Sequence, residues 1–199
     1  MAIPAPSEPG GPTRMTVERY FALVDEGLLD PDDRVELLEG VVVAMSPRNP
    51  PHDAVVSLAA RVLGRVVGDR AAVRCQCSII LNRYSAPEPD VAVVPGHERD
   101  YMLAHPTTAL LVVEVADTSL AQDRLTKAAL YAAAGIPEYW IVNLRDRQVE
   151  VLRDPEPAAG RYRERAVAGA DARLAIVTLP GVEVAAAELL PDPEPRVGG

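Results

Sequence analysis

The sequence predicts an α/β fold, a mixed β-sheet flanked by helices, and three observations carry that prediction. Short apolar runs of strand length (DVAVV, LLVVEVA, EYWIVN) alternate with segments whose apolar residues recur at helical spacing. Turn-forming residues punctuate the alternation, as at Gly135 and Pro137. The 199 residues are 48% hydrophobic and 25% charged, the balance of one globular domain with a single core.

Residues 1–14, rich in Pro, Gly and small polar side chains, read as a disordered arm. The domain then spans 15–190, and an acidic, Pro-rich tail covers 191–199. Thr16 is placed to cap a short helix through VERYFALVDEG that ends near Gly27, and LLDPDD is a loop. Residues 34–38 and 41–45 flank Glu39-Gly40 as an N-terminal hairpin, although Glu is a poorer first turn residue than Asn or Asp. From 53 to 68, Val55, Leu58, Ala59, Val62, Leu63 and Val66 recur at helical spacing behind a proline cluster, with Arg61 and Arg65 on the outward side. Strands are expected at 72–81, 90–94 and 110–116, then a helix at 120–134 stopped by Gly135 and Pro137, then a strand over EYWIVN. RQVEVLRD, RYRERAVA, the run around ARLAIVT and PGVEVAAAELL supply extra C-terminal strands and a short last helix.

No apolar stretch approaches the roughly 18 to 20 residues of a membrane span, and MAIPAPSEPGGPT lacks the basic and apolar regions of a signal peptide. A cytoplasmic location without a membrane partner is therefore expected. Cys75 and Cys77 share one face of the 72–81 strand, the pattern of a thiol pair in a core strand, and no second pair or HxxxH accompanies them as metal ligands. A formal net charge of −9 argues against coating nucleic acid by bulk positive potential. It leaves room for a local basic track. Within residues 61–83, Arg61, Arg65, Arg70, Arg74 and Arg83 stand against the single acid Asp69, as phosphate contacts or as a solvated face.

Two residues are anomalous for their surroundings. Nineteen of the 20 basic residues are arginine and one, Lys127, is lysine, a compact charge on a flexible stem that arginine does not replace. Glu114 sits inside the apolar run Leu110–Val113, Val115 and Ala116, where a buried carboxylate is costly unless paired or metal-bound. Asp90 opens the preceding strand after Glu88-Pro89, so on neighbouring strands the two carboxylates converge where a hard cation such as magnesium prefers oxygen ligands. The following helix brings Lys127 back over them. Two carboxylates and a lysine form a phosphodiester-cleaving set, in which a metal polarises the phosphate and lowers the pKa of a bound water. The bland alternatives are a turn acid at Asp90 and an exposed i, i+4 pair between Asp123 and Lys127.

The segments RVELLEGVVVAMSP, PHDAVV, EPDVAVV, LVVEVADTS, DRLTKAALYAAAGIPEYWIVN and RQVEVLRD, in this order, resemble the Uma-two (Uma2) family of restriction-endonuclease-like proteins, a branch of the PD-(D/E)xK nuclease superfamily. The resemblance covers roughly residues 15 to 190 and is most specific from Glu114 to Asn143. It implies a restriction-endonuclease-like core with Asp90 and Glu114 as ligands of Mg2+ or Mn2+. The superfamily commonly places its lysine two residues after the acid, here Ala116, whereas in this family it lies on the next helix, at Lys127. Glu36 and His52 match two further family positions. Glu36 is implied to complete the catalytic site, with a solvated strand acid as its alternative, and His52 either touches phosphate or caps its helix. Ala116-Asp117-Thr118-Ser119 departs from the family's usual leucine, serine, proline, serine turn.

The leading expectation is a metal-dependent endodeoxyribonuclease hydrolysing phosphodiester bonds of DNA, with a homodimer as a further expectation. Its competitors are a nuclease-like fold used for binding or assembly with weak or no catalysis, and hydrolysis of a small nucleotide phosphodiester.

Overall fold

The computed structural model describes residues 14–30 and 33–192; the expected arm before Arg14 and the tail from 193 lie outside the described residues. Helix α1 (Val17–Asp25) starts where expected, the Thr16 hydroxyl accepting the Arg19 N–H at 3.3 Å. Strands β1 (Val35–Leu38) and β2 (Val41–Ala44) pair antiparallel across Glu39 and Gly40, whose φ values of 53° and 82° are those of a tight hairpin turn. Glu39 accepts this unfavourable backbone because Arg14 Nη2 donates to its carboxylate at 2.8 Å and Ser85 Oγ accepts its N–H at 3.0 Å. Gly40 has no substitute: a Cβ there would lie 2.6 Å from Arg14 Cβ.

Helix α2 (Pro50–Val67) begins three residues ahead of the expected start, because the Asn49 side chain accepts the His52 N–H at 3.0 Å and Pro50-Pro51 fit a first turn that needs no N–H. It buries Val55, Val56, Ala59, Val62, Leu63 and Val67, while Leu58 and Val66, both expected inside, are half-buried. The packed face is rotated slightly from the sequence reading.

The main sheet holds six strands in chain order: β3 (Ala72–Cys75), β4 (Val91–Val94), β5 (Leu111–Ala116), β6 (Glu138–Asn143), β7 (Gln148–Glu156) and β8 (Arg161–Ala168). The β5–β6 pair is parallel and the others antiparallel, so the sheet is mixed as expected. The parallel pair requires a crossover, supplied by α3 (Leu120–Gln122), a π-helical turn (Asp123–Lys127) and α4 (Ala128–Ala133) in place of one regular helix over 120–134. Leu111, Val113 and Val115 of β5 enter the core under α2, and Val112 and Ala116 enter the core on the crossover side. Glu114 shares their parity and faces the crossover. β9 (Arg173–Ala175) and β10 (Glu183–Ala185) close the α2 side with Leu174, Ile176, Val184 and Leu189, and a 3-10 turn at Ala186–Glu188 stands where a last helix was expected.

The expected strand 72–81 ends at Cys75, because Gln76 takes φ 50° and turns the chain out of the sheet. The thiol pair is therefore not in a core strand: Cys75 is exposed and Cys77 half-buried. A third small core of Val17, Tyr20, Leu37 and Ala86 docks the hairpin, and the Ala86 N–H donates to Leu37 O at 2.8 Å. That docking places Glu36, next to Leu37, over the end of β4 and β5. Among the described residues no helix is long and apolar enough to cross a membrane.

Candidate active site

Val91 faces Val113 across the antiparallel β4–β5 pair, so one step beyond the ladder Asp90 meets Glu114. The Asp90 N–H donates to Glu114 Oε2 at 3.4 Å, and the Val115 N–H donates to Asp90 Oδ2 at 2.9 Å. The kink at Gln76 has a use here, since it delivers Gln76 Nε2 to Asp90 Oδ1 at 3.2 Å. From the start of α2, His52 Nε2 reaches Asp90 Oδ2 at 3.3 Å and His52 Nδ1 reaches Asp53 Oδ1 at 3.3 Å. Asn49, not the His52 side chain, caps the helix.

Lys127 comes from the π-helical turn and is buried. Its Nζ lies 2.9 Å from Glu114 Oε1 and 3.4 Å from Glu36 Oε1, and Tyr131 OH donates to Glu114 Oε1 at 2.8 Å. The surface pairing of Lys127 with Asp123 is overturned: Asp123 is also buried, at 3% exposure, and accepts a hydrogen bond from Ser119 Oγ at 2.6 Å. π-Helical turns are rare and concentrate at functional sites. Glu36 is buried, not a solvated strand acid, and accepts the Glu88 N–H at 3.1 Å. The unusual turn after β5 is fixed from α2, with Asn49 Nδ2 donating to Asp117 Oδ2 at 2.6 Å.

The structure thus brings Glu36, His52, Asp90, Glu114 and Lys127 into one cleft, and adds Asp123. Asp123 was legible only as a surface residue, because its burial depends on the π turn.

The cluster holds more acid than its cations neutralise. Burial pushes the Glu114 carboxyl well up, Lys127 opposes this, and Asp90, Asp123 and Glu36 add to it. Burial likewise raises Asp123 to about 6, against the hydrogen bond from Ser119 and the charge of Lys127. Burial would lower Lys127, but Glu114, Glu36 and Asp123 more than offset it, so the amine is held as ammonium. At Asp90 burial raises and the hydrogen bond and charge of His52, with the Val115 N–H, lower; the net is downward, while His52 is raised chiefly by Asp90. The contact between them drives both shifts.

Among the described residues no three His, Cys, Asp or Glu side chains are gathered as a complete metal-ligand set. Asp90 and Glu114 form a two-carboxylate oxygen donor set in an acid-rich cleft, which suits a cation whose remaining shell is water and substrate oxygen, the habit of magnesium. Arg61 and Arg65 are not brought to this cleft. Both are exposed on the later turns of α2, Arg61 about 14 Å of helix beyond His52, and Arg65 Nη2 lies 2.6 Å from Glu188 Oε1.

A mixed sheet with one acid at the start of β4 and a second within the adjoining β5, a third acid from a docked hairpin and a lysine from the crossover defines a nuclease-like α/β fold. The chain belongs to the Uma2 family, whose model, described as "putative restriction endonuclease", matches residues 17–187. A crystal structure of a "putative nuclease" from Anabaena variabilis superposes with a TM-score of 0.67 at 17% identity, covering 88% of this chain and 97% of that one. No curated protein matches the chain significantly.

Proposed function

We propose that this protein is a metal-dependent nuclease that hydrolyses phosphodiester bonds of DNA, with Asp90 and Glu114 holding Mg2+ or Mn2+. The single observation that carries the reading is the placement of the chain's one lysine, buried between Glu36 and Glu114 in the cleft that Asp90 also lines. When bound, the cation supplies Lewis-acid polarisation of the phosphate and a more acidic water. Lys127, held as ammonium, donates hydrogen bonds and offsets charge that develops on the phosphate oxygens. Glu36 and Glu114 fix its position from two sides, and Tyr131 restrains Glu114. His52 orients Asp90 and presents its edge to the cleft as a substrate contact. Arg61 is a candidate outer phosphate contact; Arg65 would first have to leave Glu188.

A second reading, a binding or assembly module with weak or no catalysis, is favoured by one observation: Lys127 already gives Glu36 and Glu114 an internal counter-ion. Titration of Mg2+ and Mn2+ by calorimetry, followed by cleavage assays on duplex and single-stranded DNA, separates the two. Lys127→Arg is expected to keep the charge and metal affinity but reduce cleavage by at least about a hundredfold, because the larger planar fork cannot occupy the point between two carboxylates. Equal cleavage by wild type and Lys127→Arg would remove the lysine from the mechanism, and metal binding without cleavage would favour the module.

A further inference from the structure

We propose that Arg34 holds the non-bridging oxygens of a substrate phosphate at the mouth of the acidic cleft. The inference rests on the phosphodiesterase reading above and assigns the group that recognises the anion. Arg34 immediately precedes β1, two residues before Glu36, and lines the same cleft as His52, Asp90 and Lys127. It is half-buried, yet among the described residues its Nε is enclosed without a hydrogen-bond partner and its guanidinium makes no ion pair. Among the described residues Arg74 Nε alone shares this state, but its guanidinium lies over the Tyr101 ring, 5.4 Å from the centroid, and Arg74 does not line the cleft. An enclosed, unbonded donor costs free energy that a structural arginine would recover by pairing.

The surroundings explain what is missing. Burial disfavours the charge on Arg34, and Arg48, exposed in the loop between β2 and α2 and without an ion pair among the described residues, acts in the same direction; Asp90, Asp53 and Glu88 only partly compensate. A guanidinium whose enclosed donor is unbonded is relieved by an anion, and a phosphate presents the oxygens that a planar fork fits. The acids nearby do not contradict this. Asp90 is taken by His52, Gln76 and the Val115 N–H, and Glu88 by Ser78, so neither closes onto Arg34. The result is a cleft with acids for a cation and one arginine for an anion. That division also reconciles a net charge of −9 with a phosphate substrate, because recognition is local rather than carried by the bulk field.

The test uses the full chain and two separate readouts. Binding of a short labelled oligodeoxynucleotide, single-stranded and duplex, is measured by anisotropy in Ca2+, and Mg2+ affinity is measured by calorimetry without DNA. Arg34→Gln is expected to weaken oligonucleotide binding about tenfold or more and to lower the slope of log K against log salt by about one. Its Mg2+ affinity should stay within about twofold, and its Tm should equal or exceed that of wild type, since no native bond is lost. Arg34→Lys should recover only part of the affinity, a point charge lacking the fork. Unchanged oligonucleotide affinity in Arg34→Gln overturns the inference, as does a lowered Tm with unchanged salt slope, which would make Arg34 structural. If wild type binds the oligonucleotide through Arg34 but cleaves nothing, the nuclease reading fails while the anion site stands. If wild type binds no oligonucleotide, both fall.

Discussion

The fold holds two groups of buried acids, and their counter-charges differ. Glu150, enclosed on β7, is held by two arginines: Arg124 Nε donates at 3.0 and 3.1 Å, and Arg165 Nη2 at 2.6 Å. Glu138, enclosed at the start of β6, receives Arg153 Nε at 2.7 Å, Trp140 Nε1 at 2.9 Å and the Val177 N–H at 2.9 Å. In the cleft, by contrast, Glu36, Asp90, Glu114 and Asp123 face Lys127, His52 and, without an ion pair among the described residues, Arg34. A structural buried acid is supplied with matching donors; the cleft keeps an acidic excess, and such excess is where functional sites are built.

The contrast also bounds what the sequence could tell. Glu114 stood out as an acid among valines, but Glu150 within QVEVL has the same appearance and is satisfied by arginines distant in sequence. An acid in an apolar strand therefore locates burial, and only its partners assign a role. The lone lysine was the sharper signal because its type, not its setting, was unusual. Fold elements were legible where local chemistry decides them: EYWIVN and RYRERAVA are strands over their full length, and Glu39-Gly40 is the hairpin turn. They were missed where tertiary contacts decide. Gln76 leaves the strand to reach Asp90, and the π turn that buries Asp123 keeps a helical periodicity in sequence. Arg34 carried no anomaly at all, since an arginine before a strand is ordinary until its partners are counted.

The largest test of the comparison removes each centre. Lys127→Ala strips the principal cation from three buried acids and is expected to destabilise the metal-free fold by about 3 to 5 kcal/mol. Glu150→Ala frees Arg124 and Arg165, which are 34% and 51% exposed and can turn to water, so the loss should be about 1 to 2 kcal/mol. Urea denaturation of both variants in chelator measures the two losses. Equal losses would mean that the cleft is no more acid-loaded than the Glu150 site.

Acid should act on the two regions in opposite directions. The folded-state pKa of Asp123 is raised to about 6, chiefly by burial, so between the unfolded value near 3.9 and that point the native chain binds the extra proton. Stability from this group therefore falls as pH rises through that window, by up to about 3 kcal/mol. Glu150 is net lowered: burial raises it, but the hydrogen bonds and charges of Arg124 and Arg165 outweigh burial. Its contribution is present above the unfolded value near 4.3 and is lost as pH falls through its folded value. In metal-free urea titrations, Asp123→Asn should flatten the decline from about pH 4 to 6 and be more stable than wild type at pH 7, whereas Glu150→Gln should flatten only the acid limb. A wild-type curve that rises steadily from pH 4 to 7, unaltered in Asp123→Asn, would show that the cleft carries no excess.

The smallest effect is expected on the surface of α2, where the pairing rule can be tested without disturbing either buried group. Arg65 and Glu188 are both exposed, so salt screens their attraction and water replaces it readily. Arg65→Gln should then shift Tm by no more than about 2 °C. The same pairing predicts an order among arginines toward nucleic acid. Among the described residues Arg34 makes no ion pair and lies at the cleft, Arg61 makes none but stands further along the helix, and Arg65 must break a contact before it meets a phosphate. Neutralising them one at a time should lower oligonucleotide affinity in that order, with Arg65→Gln changing the salt slope least. A larger effect from Arg65 than from Arg34 would mean that the duplex lies along the outer face of α2, and that an existing ion pair is no guide to which cations a nucleic acid can recruit.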